Sequence, residues 1–173
     1  MEHTGLRDCV VIDTNQLLLL IACEVLQNTR RTTLERVPIL EAIRGRADRV
    51  PPEQFERLWL VFQRARRKVT TQHVIAETYN LCHRLRPLQT PKDVIWKAAN
   101  QLLDRDNMEE RGCSIAELST DDGYNQILHA IGPADAGLIF TAQKLKCEIL
   151  SEDGKLSDWS WKRHVHCTPL KAL

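Results

Sequence analysis

Aromatic residues make up only 5% of this 173-residue chain, which argues against a base-stacking platform of the RNA-recognition or OB type. No apolar run approaches the roughly 18–20 residues of a membrane span. The longest, Leu17 to Cys23, is far shorter and follows an acid, Asp13. The opening residues, Met1 to Asp8, lack the basic, apolar and small-residue order of a secretory signal. The expectation is a cytoplasmic protein with no membrane partner. No Cys-x-x-Cys pair occurs among Cys9, Cys23, Cys82, Cys113, Cys147 and Cys167. Their scatter along a chain with no secretory segment leads us to expect reduced, mostly buried thiols. His164, His166 and Cys167 come nearest to zinc-ligand spacing, but no second half of such a site is visible. A terminal strand with chance polar residues explains them better.

What is present is ordinary in bulk and uneven in detail. Hydrophobic residues are 43% and charged residues 27% of the chain, as in a soluble globular protein. The length suits a single domain spanning 1–173. The net charge of +1 hides an asymmetry. Eleven Arg and Lys stand against five Asp and Glu from Arg30 to Lys68, whereas seven acids face two bases from Asp104 to Asp122. Solvated helical surfaces account for any one of these charges. The concentration favours a polyanion contact near the basic part, with Arg64, Arg66, Arg67 and Lys68 as the tightest run.

Strand-like and helix-like stretches alternate. Cys9 to Ile12 is a short apolar run without a period, as in a strand buried on both faces. Helices are expected over 16–27, 30–44, 52–65, 71–85, from Pro91 to about Leu102, 122–131, 133–144 and 156–163. Further strands are expected at 68–70, 113–118, 147–151 and 165–168. Ser119 or Thr120 would cap the helix at Asp122. This order predicts an α/β fold with a parallel sheet and helices on both faces, in which ligands bind beyond the carboxyl ends of the strands.

Acids stand at those ends. Asp13 directly follows the first strand, and an isolated buried carboxylate needs a partner or a cation. A cap for the next helix explains it equally well. Asp135 begins the stripe Asp135, Leu138, Ile139 and Ala142, so it lies on a core-facing side in the first turn, where the helix dipole favours an acid. Asp153 follows the fourth strand and precedes Gly154, a common place for a turn acid. Glu77 shares a stripe with His73, Asn80 and Arg84, which by periodicity alone reads as a solvated face. Carboxylates converging without neighbouring cations would repel one another. A hard divalent cation such as Mg²⁺ relieves that repulsion and is suited to phosphodiester chemistry.

Val-Val-Ile-Asp13-Thr14-Asn15, Thr70-Thr71-Gln-His-Val-Ile-Ala-Glu77, Pro133-Ala-Asp135-Ala-Gly-Leu-Ile and Ile-Leu-Ser151-Glu-Asp153 together resemble, in order, the four motifs of PIN-domain nucleases. The resemblance covers nearly the whole chain. It implies a PIN-like parallel α/β fold and a Mg²⁺- or Mn²⁺-dependent endoribonuclease acting on an RNA substrate. Asp13, Glu77, Asp135 and Asp153 would be catalytic metal ligands, directly or through water. Asn15 and Ser151 would orient them. Many bacterial and archaeal members are VapC-type toxins, so an antitoxin protein and a homodimer are among the partners the resemblance implies. An extended, basic helical segment at about 24–68 departs from compact toxin members. Asp158 is the nearest candidate for a further acid of the last motif, though a plain surface acid suits it better. Two other readings remain. One is a catalytically silent PIN-like module that binds RNA or protein. The other is a receiver-like phospho-acceptor using Asp13 or Asp121-Asp122, weakened by the lack of a lysine after the late strand.

Overall fold

The computed structural model describes residues 8–28, 52–84, 92–105 and 107–173. Five strands, β1 (Cys9–Ile12), β2 (Arg67–Thr71), β3 (Glu109–Arg111), β4 (Glu148–Leu150) and β5 (Cys167–Thr168), form one sheet in the order β3-β2-β1-β4-β5. Every neighbouring pair is parallel, with Val10 opposite both Lys68 and Glu148. β1 is central, and its Val10, Val11 and Ile12 are fully buried. That is why its sequence shows no polar alternation.

Among the described residues the helices are α1 (Thr14–Asn28), α2 (Pro52–Arg64), α3 (Gln72–Arg84), α4 (Lys92–Arg105), α5 (Ile115–Ser119), α6 (Asp122–Ile131), α7 (Pro133–Leu145) and α8 (Gly154–Lys162). α1 packs with α2, α3 and α4, while α7 lies against β1, β2 and β4 and also touches α6 and α8. Parallel crossovers are almost always right-handed, and with this strand order that rule assigns the two groups to opposite faces of the sheet. The core runs between them through Leu17, Leu20, Leu58, Phe62, Leu138 and Ile139, each 2% exposed or less. In α2, Phe55, Leu58 and Phe62 are the buried edge of its apolar stripe. Thr71 caps α3, its Oγ1 accepting from the Val74 N–H at 3.3 Å. No helix among the described residues is long and apolar enough to cross a membrane.

Three expectations need correction. The third strand is Glu109–Arg111, not Cys113 to Leu118. Ser114 and Glu117 form a reciprocal capping box, so the apolar residues after Ser114 enter a helix, α5. The cap of α6 is Asp121, whose Oδ1 accepts from the Gly123 and Tyr124 N–H groups at 2.8 and 3.2 Å; it is neither Ser119 nor Thr120. Cys9 and Cys147 are joined by a disulfide, because the β1–β4 register sets them side by side. Cys23, Cys82, Cys113 and Cys167 are free, and burial pushes their thiols up to between about 11 and about 12, which makes them poor nucleophiles. Of the segment at 24–68, the ends belong to α1, α2 and β2; the helix expected at 30–44 lies outside the described residues.

The disulfide should be a measurable staple. Reducing it, or substituting Cys9→Ser, should lower stability by about 2–4 kcal/mol, since it closes a long loop. A thermal melt with and without reductant checks this. Equal melting temperatures would show that the two thiols are not bonded in solution.

Candidate active site

The acids gather at the carboxyl end of the sheet, where strand order switches between β1 and β4. There a pocket of about 520 Å³ is lined by Asp13, Glu77, Asp135 and Asp153, with Thr14 and Asn15 beside them. Each acid arrives from a different element. Asp13 ends β1, Glu77 lies in α3 after β2, Asp135 occupies the first turn of α7, and Asp153 follows β4. No Lys or Arg is among the described residues that line the pocket.

Asp13 is only 4% exposed. Its Oδ1 accepts from the Gln16 backbone N–H at 2.9 Å, so it is a helix cap as well as a pocket acid. The Gln16 side-chain amide, turned nitrogen-first, donates to Oδ2 at 2.8 Å. Ser151 adds a side-chain hydrogen bond. Burial nevertheless dominates these bonds and, with the nearby Asp135 charge, raises the carboxyl to about 7. Asp135 is raised to about 6, by burial first and then by the charges of Asp153 and Glu77. These mutual effects mark the carboxylates as one electrostatic cluster.

Asp153 caps α8, and both bonds fall on one oxygen. Oδ1 accepts from the Lys155 and Leu156 N–H groups at 2.7 and 3.0 Å. Its own N–H donates to Ser151 Oγ at 3.0 Å. Ser151, 2% exposed, therefore bridges Asp13 and Asp153 from beneath the pocket. Ser151→Ala should lower turnover about 10–100-fold, as loss of a group that orients ligands does. Unchanged steady-state rates would remove Ser151 from the machinery. Glu77 Oε2 accepts from the Thr14 hydroxyl at 2.8 Å, which ties α3 to the start of α1. Gly132 joins α6 to α7 at a φ of 88°, a conformation that a side chain would strain; it turns Asp135 into the pocket.

The expected residues divide cleanly by place. Asp13, Glu77, Asp135, Asp153 and Asn15 come together, with Ser151 below. Asp158 is exposed on α8 and lines no part of the pocket. Asp121 pairs with Arg163 at 3.3 Å instead. His166 meets Glu148 and Thr168 on the β4–β5 edge. The basic run does not flank the acids. Arg66, Arg67 and Lys68 precede or begin β2, so they sit at the opposite end of the sheet. Arg67 grips Glu109 through two bonds of 2.9 and 3.0 Å, Arg66 pairs with Asp8 at 3.5 Å, and Lys68 lies 5.1 Å over the Phe62 ring. Arg64 is exposed at the end of α2. The stripe read as a solvated face is also a pocket wall: His73, Glu77 and Asn80 line it, with Glu77 and Asn80 exposed, while the side chain of Arg84 lies outside the described residues.

Among the described residues, no three His, Cys, Asp or Glu side chains stand close enough to chelate one ion directly. The donor set still fits Mg²⁺ or Mn²⁺, because Mg²⁺ is usually bound by one or two carboxylates and keeps several waters. The buried Asp13 and the half-buried Asp135, both with raised proton affinity, facing two more acids, supply that chemistry.

A protein-family model described as the PIN domain matches residues 10–162. No curated protein and no solved structure matches the chain.

Proposed function

The chain belongs to the PIN-domain family, a family of nucleases, and from that premise we propose that it is a Mg²⁺- or Mn²⁺-dependent endoribonuclease. One observation supports this most. Four carboxylates from four separate elements face a single pocket at the strand ends, with no Lys or Arg among its described lining. Asp13, Glu77, Asp135 and Asp153 would hold the ion, one or two of them directly and the rest through water. A bound divalent ion polarises a phosphodiester and activates a water for in-line attack. The chain's own part is to fix the acids. Gln16 and Ser151 hold Asp13, the start of α8 holds Asp153 through Oδ1, and Thr14 holds Glu77. Asp13 and Asp135 carry protons part of the time near neutrality and would have to give them up to serve as ligands.

The test is cleavage of several labelled single-stranded RNAs with Mg²⁺ or Mn²⁺, against EDTA. Metal-dependent internal cuts are expected. Binding without cutting by a folded protein would establish the silent binding module instead.

A further inference from the structure

We propose that His73 selects ribose in this pocket, its Nδ1 accepting a hydrogen bond from the substrate's 2′-hydroxyl. This rests on the ribonuclease reading and names the group that would make it RNA-specific. His73 lies in the first turn of α3, one turn before Glu77 on the same side, and it is the one basic side chain among the described residues lining the pocket.

The ring is held in one orientation. Its Nε2 stands 3.2 Å from the backbone carbonyl oxygen of Cys113. A carbonyl only accepts, so Nε2 carries a proton, and the tautomer that this bond selects has its lone pair on Nδ1. Cδ2, bonded to Nε2, lies against α7: a Cβ placed on Gly137 would meet it at 3.9 Å. The Nε2–Cδ2 edge is therefore turned toward Cys113 and Gly137, and Nδ1 lies on the other side of the ring. Nδ1 makes no hydrogen bond among the described residues.

An acceptor in a wall of carboxylates needs a donor from the ligand. Phosphate oxygens only accept, and deoxyribose offers no hydroxyl beside an internal phosphodiester. Ribose does, on the carbon next to the one bearing the 3′-oxygen. A 2′-hydroxyl can donate as well as accept, and it is the group by which proteins tell RNA from DNA. A buried site built to bond a hydroxyl rejects the analogue that lacks it.

The experiment uses metal-loaded protein and two oligonucleotides: an all-ribose strand whose cut site has been mapped, and the same strand with one 2′-deoxy nucleotide at that site. Wild type should prefer the all-ribose strand about tenfold in kcat/KM. His73→Gln keeps an amide N–H for Cys113 and deletes Nδ1. It should lose about tenfold on the all-ribose strand and nothing on the other, bringing the ratio to about one. His73→Asn keeps an acceptor near Nδ1 but drops the Cys113 bond, so it should melt lower and keep most of the preference. An unchanged ratio in His73→Gln overturns the assignment. An equal loss on both strands also overturns it, in favour of a phosphate contact. If His73→Gln does not fold, loss of preference in His73→Asn overturns it alone. A wild type that cuts both strands equally refutes the role of His73 and leaves the nuclease standing. A wild type that cuts neither strand, nor any other RNA, refutes the ribonuclease itself.

Discussion

Asp13→Asn should abolish RNA cleavage, by at least about a thousandfold, while the protein folds normally. The amide has nearly the shape of the carboxylate, and its oxygen can still accept from the Gln16 N–H, as Asn is a good cap. What disappears is a negative charge at the most buried of the four acids. Carboxylates that act as one cluster do not contribute separately. Asp135→Asn, Asp153→Asn and Glu77→Gln should therefore be comparably severe, and Asp13→Asn combined with Asp135→Asn little worse than either alone. Single-turnover cleavage of several RNAs is the measurement. Near-normal rates from a well-folded Asp13→Asn protein would sink the assignment of this pocket.

The metal-free protein should become less stable as pH rises from 4 to 8, and Asp13 should be the main cause. Below about 3.8 the group is protonated whether the chain is folded or not. Between 3.8 and about 7 the unfolded chain has released the proton and the folded chain still holds it. Each unit of pH in that window shifts the balance toward the unfolded state, by up to roughly 4 kcal/mol in all. Asp135 acts in the same direction through a narrower window, its carboxyl being raised to about 6. For a chain of this length the Asp13 share corresponds to a fall in melting temperature of roughly 8–16 °C. In Asp13→Asn that share should vanish, so the metal-free variant melts as high as wild type or higher at pH 8. Mg²⁺ or Mn²⁺ should restore wild type at pH 8, by about 2.7 kcal/mol at one hundred times Kd, and do little for the variant. Thermal melts of both proteins across pH, in EDTA and in a metal titration, test all of this. A variant with the full metal response would place the ion elsewhere, and one melting far lower than wild type would make Asp13 chiefly a structural cap.

The parts of this architecture legible in the sequence are those governed by local pattern. Cys9 to Ile12 has no period because β1 is covered on both faces, and that absence is itself the signal. Asp13 and Asp153 are legible by position, since in a parallel sheet the residues after a strand share one end, whereas Asp135 shows itself by opening the core-facing stripe of α7. The same logic, run backwards, puts Arg64 to Lys68 at the far end, because they lead into β2 rather than leave it. β3 is hidden because an edge strand can be Glu-Glu-Arg, whereas the apolar stretch beyond it belongs to a helix that the Ser114–Glu117 box announces. His73 and Asn80 look like any wet helix face, for periodicity cannot tell a pocket wall from bulk solvent. The Cys9–Cys147 bond depends on register between strands far apart in sequence, which no local pattern carries.

The central place of β1 has a consequence for the protein's birth. β1 precedes the other described strands in the chain, yet one of its two neighbours, β4, comes only after β2 and β3. At synthesis rates of about 5–20 residues per second, on the order of ten seconds separate the two on the ribosome. During that interval Asp13 exists without Asp135 or Asp153, and the leucines of α1 lack much of their covering. A nascent chain therefore carries no assembled set of acids before β4 and Asp153 have been made. Strand order alone delays assembly of the acid pocket until β4 has been made, and until then the early apolar segment waits without its partners.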